Sequence, residues 1–218
     1  MSAPAAPRGA EAAYIAARPP YEEIEVLAAS IPERDAAIGA HPYAFAGGET
    51  DHGFKGFHKV EALLFRDEDL AAALPVTEEL EGSLAALVEH LQARETFSAK
   101  KTFEELLALS TEFGAKKISS EEETWSDRSL LIFRHNRLGI ESQFRPFAPE
   151  VARHMLQAAE AARHAYRQAM AAVDAVYGPE PDGRPYSGVR TADRRAIARG
   201  TYACRDALAA SAEVLGLA

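Results

Sequence analysis

The chain has 218 residues, enough for one large domain or two small ones with a real buried core. Its 33 acidic side chains outnumber the 24 basic ones, for a net charge of −9. That balance argues against nucleic acid as a partner, because nucleic acid rewards clustered lysine and arginine. A single cysteine, Cys204, excludes an internal disulfide and a thiolate cluster, so a metal site would have to be built from carboxylate, imidazole and water.

No apolar run approaches the roughly 20 residues needed to cross a bilayer. The opening MSAPAAPRGAEAAY carries no hydrophobic signal core either. Alanine, leucine and glutamate dominate and period-two alternation is missing, which predicts an all-α antiparallel helical bundle. One large bundle, or two fused bundles of four-helix type, would form a single domain over residues 1–218.

In chain order, a first helix is predicted from near Arg8 through EAAYIAARPPYEEIEVLAASI, with Pro19 and Pro20 positioned to kink or restart it. Pro32 opens a short helix, PERDAAIGA, and HPYAFAGGETDHG reads as a loop. The GFHKVE helix follows and ends near Arg66. Pro75 is then expected to start a long helix with an apolar stripe of Leu80, Leu84, Leu87, Val88 and Leu91. Helix continues over Phe103 to Phe113, with Gly114 as its C-cap. KKISSEEETW reads as a loop leading to an N-cap at Ser119 or Ser120, and a helix then runs from Ser129 until Pro146. The longest predicted helix spans PEVARHMLQAAEAARHAYRQAMAAVDAVYG to Gly178, and Thr191 caps the last one.

Within FKGFHKVEALLF, Phe54, Phe57, Val60, Leu63, Leu64 and Phe65 recur at helical spacing. His58 and Glu61, three apart, therefore project together from an apolar face. A carboxylate there needs a hydrogen bond, a counter-charge or a metal. Alone, the pair reads best as a buried histidine and glutamate bonded to each other or to backbone. Glu22 and Glu25 in PPYEEIEVLA share the three-residue spacing. Such pairs on facing helices are how bundles assemble iron or manganese sites, although by themselves Glu22, Glu23 and Glu25 read as a solvated acidic face. Glu121, Glu122 and Glu123 read as a capping turn, and Glu49, Asp51 and His52 as a solvated loop. His90, His154 and His164 are expected to face solvent, and Cys204 to be a small core residue.

These segments together resemble the imelysin-like family, in particular its EfeO/EfeM type, which is associated with iron uptake. AAYIAARPPYEEIEVLA is similar to that family's first helix, with Tyr14, Arg18, Tyr21, Glu22, Ile24 and Glu25 in register and Val26 where proline is usual. Gly56, Phe57, His58 and Glu61 resemble its G-F-H-x-x-E signature. A third block matches at Lys117, Ile118, Glu121, Glu122, Ser126, Leu130, Phe133, Asn136 and Gly139. Trp125, Asp127 and Ser129 depart from it, standing where tyrosine, histidine and aspartate are usual. The sequence also starts inside the family's first helix region, as a unit excised from a longer protein would.

The resemblance implies a non-catalytic periplasmic or cell-surface protein that captures iron for an uptake system, with a membrane permease as a partner. Its ligands would be His58 and Glu61 from one helix, Glu22 or Glu25 from the facing helix, and Glu121 or Glu122. Zinc, manganese and copper suit the same oxygen and nitrogen donors. An imidazole must be neutral to bind a metal, so capture would weaken as pH falls. Two alternatives belong to other classes. One is a zinc-dependent peptidase of imelysin type, which needs an open water position and a base. The other is a metal-free helical module that binds a protein partner or a polysaccharide.

Overall fold

The computed structural model describes residues 6–93, 97–119 and 122–218, and the side chains from Arg8 onward within them. Nine α-helices and no strand are found among the described residues, as the sequence pattern predicts. The described chain divides into two compact units, the first made of residues 6–18 and 31–93, the second of 19–30, 97–119 and 122–218. Helix α1 (Ala6–Ala28) supplies residues to both and keeps Pro19 and Pro20 inside it.

In the first unit, α2 (Pro32–Gly39) has proline at its start, where the missing N–H costs nothing. The loop after it contains two short 3₁₀ turns, Pro42–Ala44 and Gly48–Thr50. Asp51 organises this loop by accepting the backbone N–H groups of Gly47 and Gly53 at 2.9 and 2.8 Å. The short α3 (Phe57–Glu61) runs directly into a π-helical turn, Ala62–Arg66. Phe57, Val60, Leu63 and Leu64 are buried along this stretch, and Tyr14 meets Phe57 and Phe65 edge-on. Helix α4 (Leu70–Leu91) begins five residues before the predicted start, so Pro75 lies inside it. The stronger start signal is Asp69, whose side chain accepts the N–H of Ala72 at 2.9 Å. Leu80 and Leu87 of the predicted stripe are buried, whereas Val88 is exposed.

The second unit adds α5 (Ala99–Ala115), α6 (Ser129–Phe144), α7 (Ala148–His154), α8 (Leu156–Tyr177) and α9 (Thr191–Val214). Helix α9 packs against α5 and α8, and α6 against α8. Phe103, Leu106, Ile140, Ala165, Ala169, Cys204 and Leu208 form a common apolar core. Three expectations fail here. Gly114 lies within α5 and is no C-cap; a Cβ there would come 2.7 Å from the Tyr202 ring, so its smallness allows a close approach. Helix α6 has no serine cap: Ser119 sits in a 3₁₀ turn bonding back to the Lys116 carbonyl, and Ser120 lies outside the described residues.

The third failure is the long helix predicted up to Gly178, which breaks at Met155, an extended residue between α7 and α8. No proline or glycine marks the break. Residues seven apart on one straight helix stand about 10 Å from each other. Yet Val151 packs with Ala158 and Ala159, alongside Phe144 and Val214. Tertiary burial of Val151 thus overrides the local helical preference. The predicted C-terminal glycine is present, for Gly178 has φ +89.

Gly56 is the tightest point of the first unit. Its φ is +77, and a Cβ would fall 2.2 Å from the carbonyl oxygen of Ile38. Gly56→Ala is expected to destabilise the protein by about 3 kcal/mol or more, because backbone strain and a backbone clash coincide. Gly82, in the interior of α4, provides the opposite case, since an added Cβ would meet nothing within 4 Å beyond the helix's own backbone. There, alanine should stabilise by about 1 kcal/mol through helix propensity alone. Urea unfolding of the two variants beside the parent checks both signs.

Candidate metal centre

His58 and Glu61 lie on the single α-helical turn-and-a-half between Gly56 and the π-helical turn. The three-residue spacing places them on one face, and both are fully buried, at 2% and 0% exposure. His58 Nδ1 lies 3.3 Å from Glu61 Oε2, the geometry of a buried imidazole–carboxylate pair. The π-helical turn begins at the residue after Glu61, a distortion frequent at functional sites. An imidazole and a carboxylate buried at one place form a nitrogen and oxygen donor set that fits divalent or trivalent iron, zinc or manganese.

The sequence reading missed what lies over His58. His41 stacks on its ring, with centroids 3.8 Å apart and planes 24° from parallel. Tyr43, 55% exposed, also stacks on His41, at 5.0 Å. His41 stands in a loop outside any helical periodicity, so spacing arguments gave no signal for it.

The carboxylates expected to complete a ligand set belong to the second unit. There Glu22, Glu25 and Glu122 are brought together, and they surround Lys117. Its Nζ lies 2.6 Å from Glu25 Oε1, 3.2 Å from Glu122 Oε1 and 3.7 Å from Glu22 Oε2. Asn136 of α6 donates through Nδ2 to Glu25 Oε2 at 2.5 Å. Burial by itself would lower the Lys117 ammonium, but the charges of Glu122, Glu25 and Glu22 together hold its pKa well above the lysine range. Burial raises the Glu25 carboxyl well above the usual carboxylate range; Lys117 pulls it down, and Glu22 and Glu122 push it up. Glu121 lies outside the described residues.

Other acidic groups find structural partners. Glu123, read from the sequence only as part of a capping turn, is buried and accepts Ser126 Oγ at 2.5 Å. Its backbone N–H donates to Ser129 Oγ at 3.3 Å. Asp127, at φ +61, accepts the Ser187 N–H at 2.8 Å and its hydroxyl at 2.5 Å. Trp125 thus lies in a turn, Asp127 follows it and engages the 185–188 loop, and Ser129 opens α6. Glu23, grouped with Glu22 and Glu25 on spacing, instead pairs with His135 at 2.7 Å. His154 and His164 are exposed, as predicted.

The described residues form an all-α protein with a buried histidine–glutamate pair on one short helix. The imelysin family model matches residues 2–215, and the chain belongs to that family. Over 207 residues it is 30% identical to the iron uptake system component EfeO of Yersinia pseudotuberculosis, covering 94% of this chain and 54% of that protein. It is 28% identical over 211 residues to the iron uptake system component EfeO of Escherichia coli, covering 95% and 55%. It is 29% identical over 138 residues to the iron uptake system component EfeM of Pseudomonas syringae, covering 63% and 48%. The chain therefore spans about half the length of these relatives.

The cluster around Lys117 generates an asymmetric prediction. Lys117→Met leaves three inward carboxylates without their ammonium, and should destabilise by about 3–5 kcal/mol. Glu25→Gln keeps the shape and removes one of three competing charges, so its cost at neutral pH should stay within about 1 kcal/mol. With its pKa raised, folded Glu25 holds a proton more tightly than the unfolded chain does. Its contribution to stability is therefore largest in acid and declines as pH rises through the folded-state value. Urea unfolding between pH 5 and pH 8 should show a shallower decline in Glu25→Gln than in the parent, within roughly the range where such groups titrate.

Proposed function

We propose that this protein is a non-catalytic, extracytoplasmic metal-binding component of iron uptake, with iron as cargo and His58 and Glu61 as ligands. The observation that carries the reading is the fully buried His58–Glu61 pair. A carboxylate and an imidazole withdrawn from water are costly unless they are bonded to each other or to a metal, and their donor set suits iron. The names of the relatives, iron uptake system components, support the assignment of the cargo. The word 'system' in the same names supports a partner, which we propose is a membrane permease. No helix among the described residues is long and apolar enough to cross a membrane.

Glu22, Glu25, Glu121 and Glu122 are proposed as further ligands on their sequence spacing and family resemblance. Three of them hold Lys117, so a cation drawing on these oxygens competes with the ammonium. Zinc, copper and manganese would be held by the same donors with less discrimination than geometry alone provides. The second reading, a zinc-dependent peptidase, has one observation in its favour: the matching family model is named for peptidases. Turnover of a mixed peptide library by zinc-loaded protein, abolished by Glu61→Gln, would move the assignment to that class.

Elemental analysis of protein purified without chelator should find close to one equivalent of iron. His58→Ala should weaken iron or zinc binding by about 100-fold or more in calorimetric titration, since loss of even an outer partner costs about 10–100-fold. Its helical content should remain unchanged. A folded His58→Ala protein with parental affinity would remove His58 from the ligand set and the reading with it.

A further inference from the structure

We propose that the first unit docks an amphipathic helix of a partner protein, with lysine or arginine beside its apolar stripe, in the groove between α1 and α4. This inference does not depend on the metal reading.

The groove lies wholly within the first unit and has a volume of about 530 Å³. Ala10, Ala13 and Ala17 of α1 form one wall, and Leu70, Leu74 and Thr77 of α4 form the other. The buried Phe57 and Val60 of α3 lie at its base. Thr77 and Tyr14 are the only lining residues with a polar side-chain atom. The Thr77 hydroxyl donates to the Ala73 carbonyl at 2.9 Å, and Tyr14 is buried. The groove therefore selects its occupant by apolar burial rather than by hydrogen bonds.

Its shape suits a helix. Ala10 to Ala17 span about 10 Å of α1, and Leu70 to Leu80 about 15 Å of α4. A helix sets its anchors at i, i+3, i+4 and i+7, over the same two turns. Alanine along α1 lets a neighbouring helix axis come close, because the distance between packed helices is set by the side chains at the contact. Leu74 is 62% exposed, and Val88, further along the same face of α4, is 49% exposed. A continuous apolar surface of this kind marks an interaction site.

Charge decides what kind of helix fits. Apart from His90, the charged residues of α4 are Glu78, Glu79, Glu81 and Glu89, with no lysine or arginine. Glu78 and Glu81 follow Leu74 and Thr77 by four residues, which brings them to the groove side of α4. On α1, Glu11 is the one charged residue between Ala10 and Ala17. The basic groups nearest in sequence are engaged: Lys55 pairs with Glu79 at 3.0 Å, and Arg66 pairs with Asp67 and Glu49. An acidic edge on a chain of net charge −9 attracts a basic helix, and it repels both a second copy of this chain and an anionic membrane surface.

A fluorescent peptide of about 18 residues, with leucine at i, i+3, i+4 and i+7 and lysine elsewhere, tests the groove by anisotropy titration with the full chain. It should bind with a Kd of about 10 μM or below. A peptide of the same composition in scrambled order, and one with glutamate in place of lysine, should each bind at least about tenfold more weakly. Leu74→Gln changes an exposed residue, should leave the fold intact, and should weaken the lysine peptide by about tenfold or more. Equal binding of the scrambled peptide would reduce the interaction to charge attraction and overturn the docking site. Unchanged binding by folded Leu74→Gln would place the helix elsewhere and overturn it as well. No binding at about 100 μM would overturn the proposal. Sedimentation showing a dimer of the parent chain that Leu74→Gln dissociates would give the groove to a second copy, against the proposal.

Discussion

The ammonium of Lys117 is what allows three carboxylates to lie together in the second unit. Glu22 and Glu25 come from α1, Glu122 from the turn before α6, and Asn136 from α6 itself, and one nitrogen within 4 Å of three acidic side chains gathers these elements. Burial penalises the charged forms, and the Coulomb attraction between the ammonium and its close carboxylates opposes that cost, growing as the local dielectric falls. Such clusters are strong as units and weak when one member is lost. The packing of α1 residues beside α6 depends on the same closeness: Gly139 has no room for a Cβ, the backbone of Glu23 standing 2.7 Å from where it would be.

The first unit solves a related problem with different chemistry. Its buried carboxylate, Glu61, faces an imidazole rather than an ammonium. An imidazole can give up its proton and become a metal ligand, which an ammonium in the lysine range does not do at neutral pH. One unit thus holds a carboxylate group organised by a permanent cation, and the other holds a pair suited to an exchangeable one. His41 stacks on the His58 ring at 3.8 Å, a contact that restricts the ring's orientation.

The chain belongs to the imelysin family and spans about half the length of relatives named as iron uptake system components. The departures at Trp125, Asp127 and Ser129 also have a physical account. Asp127 spends both carboxylate oxygens on Ser187, and Ser129 receives a backbone N–H from Glu123. These positions serve the turn and its neighbouring loop.

Sequence alone determined the helical class, most helix positions, and the shared face of His58 and Glu61, because helical periodicity and three-residue spacing are local properties. It also marked Glu22, Glu25 and Glu122 as chemically notable. What it did not contain was the choice of counter-charge: Lys117 lies 92 residues from Glu25, and only tertiary packing brings them to 2.6 Å. The stack of His41 on His58 comes from an irregular loop, where no period applies. The break at Met155 and the close approach at Gly114 were decided in the same way, since burial of Val151 and contact with Tyr202 outweigh local propensity. Arg137 shows the division most plainly. The second of two arginines in α6 reads as ordinary in one dimension, and its full burial against the Phe113 ring and Thr201 follows only from where α5 and α9 lie.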